Sequence, residues 1–205
     1  MAELLKASRA LFFGGSFNPI HLGHVACSRS AAKQRGFDRV VLVPAWRSPF
    51  KTDSTDSVGG VDRLRMCELA VAREPDFSLL DLELNQARPS YTIDTAHSLR
   101  GMGLVDNRKV AWLVGTDHLP RLHQWHQFDQ LLDVVEFVVM RRSGETVDPS
   151  TLDPRVRPIA DDLVEVPSMP MSSSAIRDRV REGLSIDDWV HPDVGRYIAD
   201  RKLYV

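Results

Sequence analysis

The sequence predicts an α/β fold with a doubly wound, mainly parallel sheet and helices on both faces. Strand and helix patterns alternate along the chain, as is typical of parallel sheets. The segment 39–44 is apolar without polar alternation, which indicates a strand that is buried on both faces. Such a Rossmann-like sheet binds ligands at the carboxyl ends of its strands. The 205 residues, 43% of them hydrophobic, suggest one domain over 1–205, with a small C-terminal helical lobe from about 172 to 205.

Short apolar runs mark the strands. The predicted strands are residues 10–13, 39–44, a strand within 77–84, 110–114, 136–140 and 163–166. The polar segment 46–60 is rich in Ser, Asp and Gly, and 143–158 is rich in Pro, Asp and Ser. The first is predicted as a mobile loop and the second as a surface loop.

Helices are predicted between the strands and after the last one. They are residues 24–36, 62–73, 90–99, a loop and helix after 114 that carry Trp125 and Phe128, 172–181, and a segment after 192 to about 202. Serines at 172–174 supply an N-cap, and Gly183 ends that helix. Cys27 and Cys67 lack C-x-x-C spacing, so we expect buried apolar residues rather than a disulfide or zinc site.

Charge and hydropathy exclude several classes of protein. The 26 Lys and Arg residues against 28 Asp and Glu residues give a net charge of −2, which does not favour a nucleic-acid binder. No signal peptide pattern opens the chain, and no apolar run approaches the roughly 20 residues that span a bilayer. We therefore expect a cytoplasmic protein without a nucleic-acid or membrane partner.

Residues 10–25 carry the most informative motif, A-L-F-F-G-G-S-F-N-P-I-H-L-G-H-V. A strand that turns through Gly14 and Gly15 into a helix leaves backbone N–H groups at the sheet edge, and these favour phosphate. His21 and His24 are three residues apart near the helix start, so both imidazoles can face one anion. A Gly-Gly pair alone is an ordinary turn, but its combination with the histidines favours a phosphate site. Two histidines are too few for a typical zinc site.

This motif resembles the G-G-T-F-D-P-I-H-x-G-H signature of bacterial nicotinate-nucleotide adenylyltransferases, which belong to the H-x-G-H nucleotidyltransferase superfamily. Similar segments follow in the family's order: S-Y-T-I-D-T at 90–95, G-T-D at 115–117, Trp125, and S-S-S-A-I-R at 172–177. The resemblance implies transfer of AMP from ATP to nicotinate mononucleotide by direct displacement, forming deamido-NAD and pyrophosphate. It also implies Mg²⁺ bound mainly through the ATP phosphates, with no named protein ligand, and it is compatible with a homo-oligomer.

The resemblance assigns His21 and His24 to catalysis, as donors that hold the ATP phosphates and stabilise charge at the α-phosphoryl group. The implied ATP- and phosphate-binding residues are Gly14, Gly15, Ser16, Lys51, Ser172, Ser173, Ser174, Ile176 and Arg177. Lys51 lies in S-P-F-K, where the family often has P-P-H-K, so Phe50 replaces a histidine. Read alone, the three serines are an ordinary helix cap.

The second substrate is assigned mainly from the resemblance. The implied residues for nicotinate mononucleotide are Tyr91, Thr92, Gly115, Asp117, Trp125 and Arg142. A helix N-terminus near Thr92 suits the nicotinate carboxylate, and Asp117 can accept hydrogen bonds from ribose hydroxyls. Trp125 offers a flat face for the pyridine ring, although taken alone it is equally a core or surface aromatic.

Several alternatives stay open at this point. The acceptor could be nicotinamide mononucleotide, whereas phosphopantetheine is disfavoured because its enzymes resemble a shorter chain without the S-Y-T and Trp125 region. A nucleotide sensor that kept the fold and lost the chemistry is disfavoured because both His21 and His24 are present. A nucleic-acid binder lacks a basic stripe with interleaved aromatic residues.

Overall fold

The computed structural model describes residues 9–46, 58–86, 89–105 and 108–205. Within these residues, six parallel strands form one sheet in the order β3-β2-β1-β4-β5-β6. The strands are β1 (Ala10–Gly15), β2 (Arg39–Pro44), β3 (Phe77–Leu79), β4 (Val110–Gly115), β5 (Val135–Arg142) and β6 (Leu163–Val166). The strand order reverses between β1 and β4, which places a ligand crevice at their carboxyl ends.

Helices connect the strands and close the chain. The α-helices are α1 (Leu22–Gln34), α2 (Gly60–Val71), α3 (Thr92–Gly101), α4 (Phe128–Val134), α5 (Arg157–Ala160), α6 (Ser173–Arg181) and α7 (Pro192–Asp200). Two 3₁₀ helices span Thr116–Gln124 and Pro149–Thr151. No helix in the described ranges is long and apolar enough to cross a membrane.

Helices cover both faces of the sheet, so the predicted fold class is confirmed. Alternate strand residues point to opposite faces: Leu11 and Phe13 pack with α1, α2, α6 and α7, whereas Phe12 packs with α3 and α4. The C-terminal residues Ile198 and Tyr204 join the first of these clusters. The end of the chain is therefore part of the core that supports β1.

Most predicted elements appear within two or three residues of their predicted bounds, and β2 and β6 match fully. The predicted burial of Cys27 and Cys67 is confirmed. The predicted strand within 77–84 is confirmed as the short β3 at its start, and turns follow at residues 82–85. Residues 47–57, with most of the predicted 46–60 loop, lie outside the described part of the chain.

Trp125 lies in the connection between the 3₁₀ helix and α4, and Phe128 begins α4, as the predicted loop and helix after residue 114 require. One prediction needs correction. The segment 143–158 is not wholly a surface loop, because Leu152 and Val156 are buried against the cluster that contains Phe128. The many Pro, Asp and Ser residues of this segment led to the prediction of a surface loop, although Leu152 and Val156 are buried.

Candidate active site

A cavity of about 360 Å³ opens at the carboxyl ends of β1 and β4, where the strand order reverses. Ligands bind at this position in open α/β sheets. The wall brings together many predicted site residues from separate parts of the chain. They are Gly14, Gly15, Ser16, His24, Tyr91, Thr92, Gly115, Asp117, Trp125 and Arg142.

Two glycines let the strand ends form this wall. A Cβ added to Gly14 would collide with the indole ring of Trp112 on the neighbouring strand. A Cβ added to Gly115 would collide with the carboxylate of Asp117, which folds back over the strand end. Close packing therefore requires glycine at position 14, where the indole is buried, whereas at position 115 the exposed Asp117 side chain could move aside.

The two histidines form a reciprocal cap at the start of α1. His21 is the N-cap residue, and its Nδ1 accepts the N–H of His24 at 3.3 Å. Nδ1 of His24 accepts the N–H of His21 at 3.2 Å, and the ring centroids lie 3.7 Å apart. Because Nδ1 accepts in both rings, each neutral imidazole carries its proton on Nε2. The structure thus brings together two Nε2–H donors, as the spacing predicts.

The environment of His21 keeps this ring neutral. Burial, with a smaller contribution from the Arg142 cation, lowers the pKa of His21 from 6.5 to about 4. A neutral imidazole binds an anion through its N–H dipole rather than through a full charge.

Phe17 supports His24 and was not predicted from the sequence. Its side chain is 2% exposed, and its ring packs edge-on against His24 at 5.2 Å and against Phe13 at 5.5 Å between centroids. Its φ of 44° lies in the left-handed region, which a bulky residue adopts only where packing holds it. No local sequence signal announces this conformation.

The start of α6 docks on the turn that leads into His21. The Ser173 hydroxyl donates to the Pro19 carbonyl at 2.9 Å, and Nη1 of Arg177 donates to the Asn18 carbonyl at 2.9 Å. The predicted serine cap is present, since Oγ of Ser172 accepts the N–H of Ala175 at 3.2 Å. The S-S-S-A-I-R segment therefore holds the histidine turn in place.

The remaining residues of this group differ in exposure. Ile176 is fully buried, and its N–H donates to the Ser172 carbonyl at 2.9 Å, which makes it a packing residue of α6. Ser172 and Ser174 are exposed. The group 172–177 lies beside the cavity rather than in its wall, and its contact with ATP stays a prediction. Lys51 lies outside the described residues.

The opposite end of the cavity is formed by the start of α3 and by aromatic rings. Tyr91 is the N-cap residue of α3, and none of the described side chains caps this helix. Helix N-termini without a side-chain cap present N–H donors to anions. The half-buried Trp125 is held edge-on by His118 at 5.7 Å and Phe137 at 5.9 Å between centroids. Trp125 lies in the cavity wall, and the stacking of the pyridine ring on its indole stays a prediction.

Arg142 and Asp117, the two charged residues predicted to bind nicotinate mononucleotide, are both exposed. Arg142 donates from Nη1 to Oε1 of Glu145 at 3.2 Å, and the Thr116 hydroxyl donates to the other carboxylate oxygen at 2.6 Å. Asp117 lies with its Oδ2 3.8 Å from Nε2 of His118. Arg142 is thus held at the end of β5 by a carboxylate that the sequence did not indicate.

Sequence reasoning missed other residues of the wall. They are Trp112, His118, His126 and the buried Glu83. His126 packs against Tyr91 with 4.4 Å between ring centroids, next to the start of α3. Glu83 lies in the alternating segment D-L-E-L at 81–84, which looks like the continuation of a strand with its acid facing water. That pattern concealed its burial.

In the described ranges, no group of three or more His, Cys, Asp and Glu side chains is placed to hold a metal ion. The carboxylates in the cavity wall are Asp117, which is exposed, and Glu83, which accepts the Thr95 hydroxyl. One exposed carboxylate in this wall fits Mg²⁺, which is commonly bound through substrate phosphates, water and one or two carboxylates.

Known proteins are similar to this chain over nearly its full length. The cytidylyltransferase-like family model matches residues 12–179. A probable nicotinate-nucleotide adenylyltransferase of Opitutus terrae is 35% identical over 195 residues, covering 94% of this chain and 96% of its own. One of Yersinia enterocolitica is 36% identical over 208 residues, covering 94% and 93%.

The fold also matches solved structures. Plasmodium falciparum nicotinic acid mononucleotide adenylyltransferase complexed with NaAD has a TM-score of 0.73 at 20% identity, covering 95% of this chain and 96% of its own. The complex of that protein with APC has a TM-score of 0.70 at 19% identity, covering 96% and 97%. At these identities the structures support the fold alone, whereas the sequence relatives assign the family. The chain therefore belongs to the cytidylyltransferase-like family and, within it, to the nicotinate-nucleotide adenylyltransferases.

Proposed function

We infer that this enzyme transfers AMP from ATP to nicotinate mononucleotide, forming deamido-NAD and pyrophosphate in NAD biosynthesis. The observation that carries this conclusion is one cavity with two different ends. The His24 ring lines one end, and the His21 ring, which lies outside the wall, stacks on it with 3.7 Å between centroids; an uncapped helix start with Trp125 lies at the other end. The first end suits a polyphosphate, and the second suits a negatively charged aromatic ring.

The reaction is a displacement at phosphorus. A phosphate oxygen of nicotinate mononucleotide attacks the α-phosphorus of ATP, the bond to the bridging oxygen breaks, and pyrophosphate leaves with that oxygen. No covalent bond to the enzyme forms, so the protein acts by positioning and by stabilising charge. We propose that Nε2–H of His21 and of His24 donate to the α-phosphoryl oxygens as their charge rises.

Positive charge around the phosphates is proposed to come from Arg142, Arg177 and Lys51, because the His21 ring is neutral at pH 7. Gly14, Gly15 and Ser16 contribute backbone donors at the end of β1. Mg²⁺ bound through the ATP phosphates would supply neutralisation of the phosphate charge there.

We propose that the nicotinate carboxylate binds at the start of α3, near Tyr91 and Thr92, and that the pyridine ring stacks on Trp125. Asp117 then accepts hydrogen bonds from a ribose. The Plasmodium falciparum relative has been solved with NaAD and with APC, which supports nucleotide ligands in this fold. A homo-oligomer and a cytoplasmic location stay predictions.

The direct test supplies ATP and Mg²⁺ with nicotinate mononucleotide or nicotinamide mononucleotide in parallel, and measures pyrophosphate and the dinucleotide. A charged carboxylate gains more than a neutral amide at a helix start, so we expect the acid to be preferred at least about tenfold, or about 1.4 kcal/mol. Equal rates would overturn the choice of acceptor and leave adenylyl transfer intact. Absence of product with either acceptor would overturn both.

A further inference from the structure

Two buried side chains, Glu83 in the cavity wall and Arg63 outside it, lie at opposite ends of one hydrogen-bonded chain. Arg63 of α2 is 3% exposed, and Glu83 is 4% exposed. Burying a charge is costly unless hydrogen bonds compensate it, so such residues mark places where position matters more than packing. Neither side chain has a role in the chemistry described above.

The Glu83 end of this chain contacts the start of α3. The Thr95 hydroxyl donates to Oε1 of Glu83 at 2.7 Å, and the Ser90 hydroxyl also hydrogen-bonds the carboxylate. Burial raises the pKa of the Glu83 carboxyl, and these hydrogen bonds act against that shift. Ser90 and Thr95 flank Tyr91 and Thr92, which line the cavity. One buried carboxylate therefore ties together both sides of the first turn of α3.

The Arg63 end contacts the phosphate side of the cavity. Its Nη1 donates to the Ser16 carbonyl at 2.7 Å, and its Nη2 donates to the Trp46 carbonyl at 3.0 Å. The Trp46 N–H donates in turn to Oγ of Ser90 at 3.0 Å. The backbone of Trp46 is thus held from both sides, and it joins the end of β1 to the start of α3. These hydrogen bonds link six residues, which we call the β1–α3 network: Ser16, Trp46, Arg63, Glu83, Ser90 and Thr95.

We propose that Glu83 is a positioning residue for the second substrate, because it sets where the first turn of α3 stands relative to the end of β1. The proposal rests on the proposed function, in which that turn binds the nicotinate carboxylate. Adenylyl transfer needs the two substrates aligned, and a displacement of about 1 Å in a positioning element lowers rates strongly. A carboxylate suits this role because it accepts hydrogen bonds from Ser90 and Thr95 at once.

The test uses variants that change one hydrogen bond each. Glu83→Gln keeps size but loses one acceptor oxygen, and Thr95→Val loses the donor. We expect both to raise the KM for nicotinate mononucleotide about tenfold, with the KM for ATP changed less than about twofold. Thr95→Ser keeps the hydroxyl and is expected to restore the wild-type KM. In the double variant, the effects are expected to be clearly less than additive.

Ser98→Ala is the matched control on the same helix. The Ser98 hydroxyl donates to the Asp94 carbonyl at 2.9 Å and is not part of the β1–α3 network. We expect this variant to leave both KM values unchanged. A lower Tm in Glu83→Gln and Thr95→Val with both KM values unchanged, or raised equally, would overturn the proposal and leave Glu83 a structural tie.

Amide hydrogen exchange gives a readout that does not depend on activity. The proposal expects faster exchange at residues 91–93 and 46 in Glu83→Gln, with unchanged exchange in α1. Wild-type enzyme that makes no dinucleotide would overturn the proposed function together with the substrate role of Glu83. Active wild-type enzyme with unchanged exchange and unchanged KM in Glu83→Gln would overturn the positioning role alone.

Discussion

His21 and His24 each use their two ring nitrogens for different purposes. Nδ1 of each ring accepts the partner's backbone N–H and caps α1, which fixes the proton on Nε2. The same hydrogen bonds fix the orientation of the stacked rings. In the proposed mechanism, this structural cap holds two donors ready for a phosphoryl group, so no reorganisation is needed at the moment of reaction.

Substitutions of His24 can separate its function as a helix cap from its proposed function as a hydrogen-bond donor in catalysis. His24→Ala is expected to lower kcat about 100-fold or more, because one donor to the transition state is lost. Binding of a non-hydrolysable ATP analogue, measured by calorimetry, is expected to change far less. His24→Asn keeps a side-chain acceptor for the cap, so we expect its stability near wild type and its kcat as low as that of His24→Ala. Turnover that survives both changes would remove His24 from the mechanism.

The lowered pKa of His21 makes stability depend on pH. An unfolded histidine gains its proton near pH 6.5, whereas His21 in the folded protein resists protonation down to about 4. The contribution of neutral His21 to the free energy of unfolding is therefore complete above pH 6.5 and is lost as pH falls towards 4. We expect a loss of about 2 kcal/mol between pH 7 and pH 5 in urea unfolding.

His21→Asn is the control for this pH dependence, because asparagine can still cap the helix. Its unfolding free energy is expected to fall less over the same pH range, since it has no imidazole to titrate. Equal slopes for the wild type and this variant would show that other groups cause the pH dependence.

At the scale of elements, the site depends on close approach of strands and helices. β1 and β4 are paired, and the buried Trp112 of β4 occupies the space beside Gly14. On the other side of β1, α6 holds the turn before His21 through Ser173 and Arg177. The rim of the cavity is therefore set by contacts between elements and not by loops alone.

Gly14→Ala tests the contact between β1 and β4. The added methyl group collides with the Trp112 ring, and the buried indole has little room to move. We expect a cost of about 1–3 kcal/mol in unfolding free energy and a matching loss of activity. Gly101→Ala is the control, because an added Cβ at this last residue of α3 meets nothing within 4 Å. Comparable losses in the two variants would contradict the packing argument.

At the scale of the whole molecule, a residue near the C-terminus contacts the turn before His21, near the N-terminus. The Tyr204 hydroxyl donates to Oδ1 of Asn18 at 2.8 Å, across 186 residues of sequence. Both side chains are buried, and burial raises the pKa of the Tyr204 phenol. The C-terminal segment therefore stabilises the turn that leads into His21.

Tyr204→Phe removes this long-range hydrogen bond from a buried amide oxygen. We expect a loss of about 1–3 kcal/mol in the free energy of unfolding, measured in urea. Tyr197→Phe is the matched control, because the Tyr197 hydroxyl donates to Oδ1 of Asp62 at 2.8 Å at a half-buried position that water can reach. An equal loss in both variants would argue against a special role for the Asn18 contact.

Local patterns in the sequence determined the elements and the centre of the site. The apolar run of β2, the serine cap of α6 and the Gly-Gly and His-x-Gly-His motif depend on neighbours along the chain, so they were predicted with nearly correct bounds. The spacing of His21 and His24 predicted that both imidazoles face one site, and the structure stacks the two rings on each other. These features follow from periodicity, capping and helix geometry, which act over a few residues.

Only the tertiary structure decided which polar groups are buried and what they contact. The alternation around Glu83 is the same for an exposed acid as for a buried one, and nothing near Arg63 in sequence indicates Trp46 as its partner. The lowered pKa of His21 likewise depends on burial and, to a smaller extent, on Arg142, which lies on β5. Burial and long-range hydrogen bonds arise when distant segments pack, and a short window of sequence contains neither.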